Sequence, residues 1–174
     1  MSTITSDSPR RYLALWFPFL PVDRLRRAAR SRERDEKPLA LVERVGNALR
    51  LAAPGREALA LGLSPGLTLA DARARIPDLQ VVEMDPAADQ RLLERLADFC
   101  DRYTPMVALD PPHGLVLDIS GCAHLFGGEG GLRESLLARL ETAGIETRAT
   151  VAGTPQAARA LARFADIDIV RCGA

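Results

Sequence analysis

The sequence predicts an α/β (α+β) fold in which helices pack on a mixed sheet. Three observations lead there. Strand-like runs alternate with helical segments along most of the 174 residues. Two strand–turn–strand units interrupt that alternation. Hydrophobic residues make up 47% and charged residues 26%, the mix of a globular chain with its own core. A chain of this length buries roughly 70% of its unfolded surface, so it needs neither disulfides nor metals for stability. The three cysteines, Cys100, Cys122 and Cys172, are odd in number and widely spaced. They fit neither a disulfide framework nor a paired-cysteine metal site, and a reducing cytoplasm is the expected setting. No run approaches the roughly 18 apolar residues of a membrane span. Residues 1–10 read as a disordered N-terminus, Ser/Thr-rich and without the apolar stretch of a signal peptide.

Each element has a local cause. Tyr12–Phe17 is a continuous apolar run that reads as a buried strand, closed by Pro18 and Pro21. Asp23–Lys37 carries Leu25, Ala28 and Ala29 at helical spacing and ends before Pro38. Leu39–Val42 is a second strand, with Asn47–Leu51 as its hairpin partner around Gly46. Gly55–Leu61 and Leu69–Arg75 are short helices, the latter announced by the capping pattern Thr68-x-x-Asp71. Leu79–Met84 is a strand. Asp85-Pro86 opens the clearest helix, with the stripe Leu92, Leu93, Leu96, Phe99, Cys100 and Tyr103.

Met106–Leu109 and Leu115–Ile119 are strands around the turn Asp110-Pro-Pro-His-Gly114. Gly127–Gly131 reads as a flexible corner before a helix carrying Leu132, Leu136, Leu137 and Leu140. Glu146–Ala152 is a strand, Thr154-Pro155 caps a helix through Phe164, and Ile167–Val170 is a short last strand. With residues 38–84 set aside as an insertion, the order becomes β-α-β-β-α-β, the ferredoxin-like split unit, over 11–37 and 85–174.

Charge excludes some classes. The 23 Lys+Arg balance 23 Asp+Glu, so the chain is no histone-like polycation. A basic stretch does occur at residues 23–37, where seven basic residues face four acids. Arg24, Arg27 and Arg30 within it are candidate contacts for a phosphate backbone or an acidic partner, against a solvated helix face as the plain reading. A two-metal centre needs several carboxylates within reach of both ions. No acid occurs from Tyr12 to Val22, and only Asp110 and Asp118 lie near the hairpin. Asp110 reads as a turn-former; Asp118 reads equally as structural or as a vestige of a site. His113 and His124 lack partners at zinc-ligand spacing, and the glycine corner lacks the Lys-Ser/Thr of a phosphate-binding loop.

Four segments together resemble the N-terminal half of a Y-family translesion DNA polymerase, and within that family its ImuB-type, polymerase-like branch. They are Tyr12-Leu-Ala-Leu-Trp-Phe-Pro-Phe-Leu-Pro21, Gly62-Leu-Ser-Pro-Gly-Leu-Thr-Leu-Ala-Asp-Ala-Arg73, Arg102-Tyr-Thr-Pro105 and, most specific, Leu117-Asp-Ile-Ser-Gly-Cys-Ala-His-Leu-Phe-Gly127. The resemblance runs over about residues 11–165. It implies a palm of residues 11–37 and 85–174 interrupted by a fingers-like insertion at 38–84, with thumb and little finger absent.

Departures from the family pattern shape the expected function. Active members carry D-x-D at the end of the first strand, where this chain has Trp16-Phe17-Pro18. Their hairpin reads S-x-D-E-x-x-x-D; anchored on Asp118, the D-E pair becomes His113-Gly114. Their fingers hold the incoming triphosphate through Y-x-x-R-x-x-G, which here reads Arg56-x-x-Leu59-x-x-Gly62. The resemblance then implies an inactive homologue without resident metal or cofactor, a scaffold for error-prone translesion synthesis in the bacterial DNA-damage response. It implies as partners an error-prone replicative-type polymerase, the sliding clamp and the RecA-like ImuA, mostly through regions C-terminal to this chain. Two other readings stay open: an active nucleotidyltransferase using Asp23, Asp110 and Asp118, and a ferredoxin-like interaction domain with no nucleic-acid role. A net-neutral palm and fingers should bind DNA weakly.

Overall fold

A computed structural model describes residues 9–29, 37–165 and 168–170. In chain order the elements are β1 (Tyr12–Trp16), α1 (Leu20–Ala28), β2 (Leu39–Val45), β3 (Ala48–Pro54), α2 (Arg56–Ala60), α3 (Leu69–Arg75) and β4 (Gln80–Glu83). There follow α4 (Pro86–Cys100), β5 (Val107–Asp110), β6 (Gly114–Asp118), a single-turn helix (Ala123–Phe126), α5 (Glu129–Thr142), β7 (Arg148–Ala152) and α6 (Pro155–Phe164). The chain forms two compact units, Phe19–Asp89 and the remainder, Met1–Pro18 with Gln90–Ala174. The division falls inside α4, and α1 groups with the strands that follow it.

The discontinuous unit holds a four-stranded sheet in the order β5-β6-β1-β7, antiparallel at every pair. That is the strand order of the ferredoxin-like split unit. Leu13 and Leu15 of β1 are buried on one face. Ala14, on the other, packs with Val116, Ala152, Ala158 and Ala162, flanked by Tyr12 and Trp16. The alanines on both sides of that contact remove bulk and let α6 lie close against the strands. Thr154 caps α6 as its sequence predicts, accepting from the Ala157 amide at 3.2 Å.

The continuous unit is a three-stranded sheet, β3-β2-β4, and the mixed pairing sits here: β2 is antiparallel to β3 and parallel to β4. Ala40, Val42, Leu51, Ala58, Leu63, Ala72 and Leu79 form one core cluster. Val22, Leu39 and Leu41 form another, packed with Phe19 and Leu25. A strand buried on both faces reads as an unbroken apolar run, which is why Leu39-Ala-Leu-Val42 lacks alternation.

Several boundaries differ from expectation. Helix α1 begins at Leu20, not Asp23, because Pro21 sits in its first turn, where a proline's missing N–H is no loss. It ends at Ala28; residues 30–36, expected to continue it, lie outside the described residues. The glycine corner is partly helical. Gly127 and Gly128 take left-handed φ values of 81° and 98°, and Glu129-Gly130-Gly131 already form the first turn of α5. Of the expected last strand, Ile167 lies outside the described residues, and among those described Ile169 forms one parallel bridge with Val151. Residues 1–8 and Cys172 lie outside the described residues. Among the described residues no helix is long and apolar enough to cross a membrane.

Candidate functional site

The sequence directs attention to the end of β1 and the β5–β6 turn, and the structure brings these together. Trp16 is the direct cross-strand partner of Gly114 on β6 and of Arg148 on β7. The Phe17 amide continues the pairing by donating to the His113 carbonyl at 2.9 Å. The His113 ring lies 5.7 Å from the Trp16 ring, and the Arg163 guanidinium stacks 4.3 Å from that indole's centroid. Phe17 itself is buried in the core. Pro18 ends the first segment of this unit.

Asp110 is more than a turn-former. Its Oδ1 accepts from Arg159 Nη1 at 3.1 Å and its Oδ2 from Arg163 Nη2 at 3.3 Å. Both arginines belong to α6, where spacing of four residues puts them on one face. Arg148 donates through Nη1 and Nη2 to the carbonyls of Arg163 and Ala165, satisfying acceptors at the end of α6. The result is a guanidinium–aromatic cluster around one carboxylate. Sequence reasoning missed Arg148, Arg159 and Arg163, although the Arg159/Arg163 spacing was a readable signal.

Asp118 is structural. Its Oδ1 accepts from the Ser120 amide at 2.9 Å and its carbonyl accepts from Thr104 Oγ1 at 2.8 Å. It pairs with Tyr12, at the far end of β6 from Gly114. Four residues of strand therefore separate it from the Asp110 turn, about 13 Å. Cys100 is buried and its thiol is pushed up to about 12, chiefly by desolvation, which leaves it unreactive.

The candidate nucleotide positions fall on α2 of the other unit. Arg56 is exposed and lies 5.9 Å from the Phe19 ring centroid; Leu59 turns a 40% exposed side chain outward. On α1, Arg26 is bound at both ends of its guanidinium by Glu57, at 3.0 and 2.6 Å. That bond lowers the Glu57 pKa and raises that of Arg26. Arg24, a candidate DNA or partner contact, donates from Nε to Asp89 Oδ1 at 2.6 Å, and Asp89 is only 5% exposed. Arg27 is half-buried on the same helix, and Arg30 lies outside the described residues.

Comparison with known proteins gives this arrangement its context. The sequence profile of the impB/mucB/samB family, IMS, matches residues 23–163. The chain belongs to that family. As an IMS domain it is of the Y-family polymerase type, and the fold agrees. It superimposes on a post-insertion binary complex of Dbh DNA polymerase with a TM-score of 0.76 at 15% identity, covering 92% of this chain and 48% of that one. Against DinB from Sulfolobus solfataricus the TM-score is 0.67 at 17% identity, with the same coverage. Protein ImuB of Caulobacter vibrioides, strain NA1000 / CB15N, is 50% identical over 104 residues, 60% of this chain and 23% of that protein. The ImuB of strain ATCC 19089 / CIP 103742 / CB 15 matches identically. The match thus spans about a quarter of the length of these ImuB proteins and about half of the two polymerases.

The IMS resemblance implies divalent ions at the strand ends, and the residues present do not fit them. The cross-strand pair that should supply acids is Trp16 and Gly114. A Cβ added at Gly114 would lie 3.0 Å from the Asp110 carbonyl and 3.2 Å from that of Leu15, so the turn is built around the missing side chain. Asp110, the one carboxylate there among the described residues, already holds two cations. Among the described residues, no three His, Cys, Asp or Glu side chains gather where they could hold a metal ion.

Proposed function

We propose that this IMS chain is a non-catalytic, polymerase-like scaffold supporting error-prone translesion DNA synthesis in the bacterial DNA-damage response. The observation that carries the proposal is the Trp16–Gly114 pair, closed over by Arg163 and by Asp110 with its two arginines. Phosphoryl transfer depends almost entirely on positioning and on charge stabilisation by metals and cations. A site without free carboxylates gives an attacking hydroxyl nothing to activate it. Arg56 and Leu59, at the positions expected to hold a triphosphate, support the same reading from the other unit. In this role the protein works in the cytoplasm beside an error-prone replicative-type polymerase, the sliding clamp and the RecA-like ImuA. Those contacts are expected mostly through regions of the relatives outside the matched stretch.

Primer extension tests the proposal. With a primer-template, all four nucleotides and Mg²⁺ or Mn²⁺, no extension product is expected. Extension that disappears in Asp110→Asn and Asp118→Asn would instead favour an active enzyme with unusual carboxylates.

A further inference from the structure

We propose that the cluster of Arg159, Arg163, Trp16 and Asp110 is a metal-independent binding site for phosphate groups. This rests on the non-catalytic reading and adds a ligand to it. The two guanidiniums carry more charge than Asp110 neutralises, and Arg148 stands behind them as the cross-strand neighbour of Trp16. Each gives Asp110 a single hydrogen bond, at 3.1 and 3.3 Å, out of the five N–H donors a guanidinium carries. Arg159 is 43% exposed, so its remaining donors face solvent. Arg163 Nε is sealed and has no partner among the described residues. A buried donor without an acceptor is unfavourable, so swinging the guanidinium outward onto a phosphate oxygen relieves it. Planar guanidinium forks suit that ligand, and the Trp16 face that Arg163 uncovers as it swings out suits a base. A strand end that would otherwise need divalent ions to attract a phosphate thus attracts one with the protein's own cations.

Fluorescence anisotropy with a labelled single-stranded oligonucleotide, at low salt, is the test. Binding should be the same in Mg²⁺ and in EDTA, and should weaken roughly fivefold for each of Arg159→Ala and Arg163→Ala. Asp110→Asn removes the competing carboxylate, so it should bind more tightly while unfolding at a lower temperature. Measured well below both melting temperatures, a gain of affinity with a loss of stability separates the lost competing carboxylate from unfolding. Calorimetry with inorganic pyrophosphate in place of the oligonucleotide distinguishes a free phosphate from a nucleic-acid backbone: pyrophosphate binding that depends on both arginines, without oligonucleotide binding, assigns the site to free phosphate. Unchanged binding of both probes in the folded double variant overturns the proposal, as does a need for Mg²⁺. Extension activity in the wild type would overturn the scaffold reading by a separate readout.

Discussion

Burial pushes the Asp23 carboxyl up from 3.8 to about 7, outweighing the opposing pull of Arg26, Arg56 and Arg27. The native state therefore holds this proton more tightly than the unfolded chain does. Stability contributed by the neutral group is complete below the unfolded pKa and is lost as pH rises through about 7. Asp23→Asn should flatten that decline, so urea denaturation at pH 8 should show a larger gain over wild type than at pH 5. An equal effect at both pH values would mean Asp23 is charged in the fold. Arg24 poses the opposite case. Its partner Asp89 is buried, and neither Arg24 Nη2 nor Asp89 Oδ2 has a further partner among the described residues. Arg24→Glu would set two acids against each other in a poorly solvated place, a loss of about 3 kcal/mol or more. Arg27→Glu, at a half-buried residue in no ion pair among the described residues but within reach of Asp23, should cost less, about 1 kcal/mol. Thermal denaturation of the two variants checks the contrast, and only Arg27 is then a clean probe of DNA contact on α1.

At the scale of elements, legibility tracked how local each cause is. Helices α4 and α6 announce themselves by an N-cap followed by proline, and both caps form: Asp85 Oδ1 accepts from the Ala88 amide at 2.9 Å, as Thr154 does for Ala157. Helix α1 was misplaced because Pro21 reads equally as a strand-breaker and as a first-turn residue. The candidate site divides the same way. The losses at Trp16, His113 and Gly114 are visible as substitutions in a pattern. The replacements are not, because Asp110 finds its arginines 49 and 53 residues away. Glycines carry a further element-scale prediction. Gly131 lies in the first turn of α5 with its missing Cβ directed into the Phe126 carbonyl. Gly131→Ala must shift backbone against backbone, so it should destabilise by on the order of 2 kcal/mol. Gly130→Ala, whose Cβ would meet only Ile169 Cδ1 at 4.0 Å, should be near neutral. Chemical denaturation of the pair checks the contrast.

Across the whole molecule, the expected losses fall in both compact units. The strand-end positions Trp16, His113 and Gly114 belong to one, and the triphosphate positions Arg56 and Leu59 to the other. Restoring either set alone should therefore restore nothing. Consider Trp16→Asp, His113→Asp and Gly114→Glu made together. The new aspartates arrive beside Arg148, Arg159 and Arg163, which offer ion pairs in place of metal ligation. The new glutamate needs room the turn lacks, since Asp110 and Leu15 carbonyls crowd its Cβ. Removing Trp16 also strips α6 of the ring that Arg163 covers. The triple variant should melt below wild type, show no Mn²⁺ binding by calorimetry and extend no primer. Adding Arg159→Ala and Arg163→Ala removes two of those three cations and leaves Arg148, whose donors go to the carbonyls at the end of α6. Weak Mn²⁺ binding is then expected to appear without extension, because Arg56 and Leu59 still give the triphosphate no matched pair of ligands. Extension by the triple variant alone would show that carboxylates were all this fold lacked.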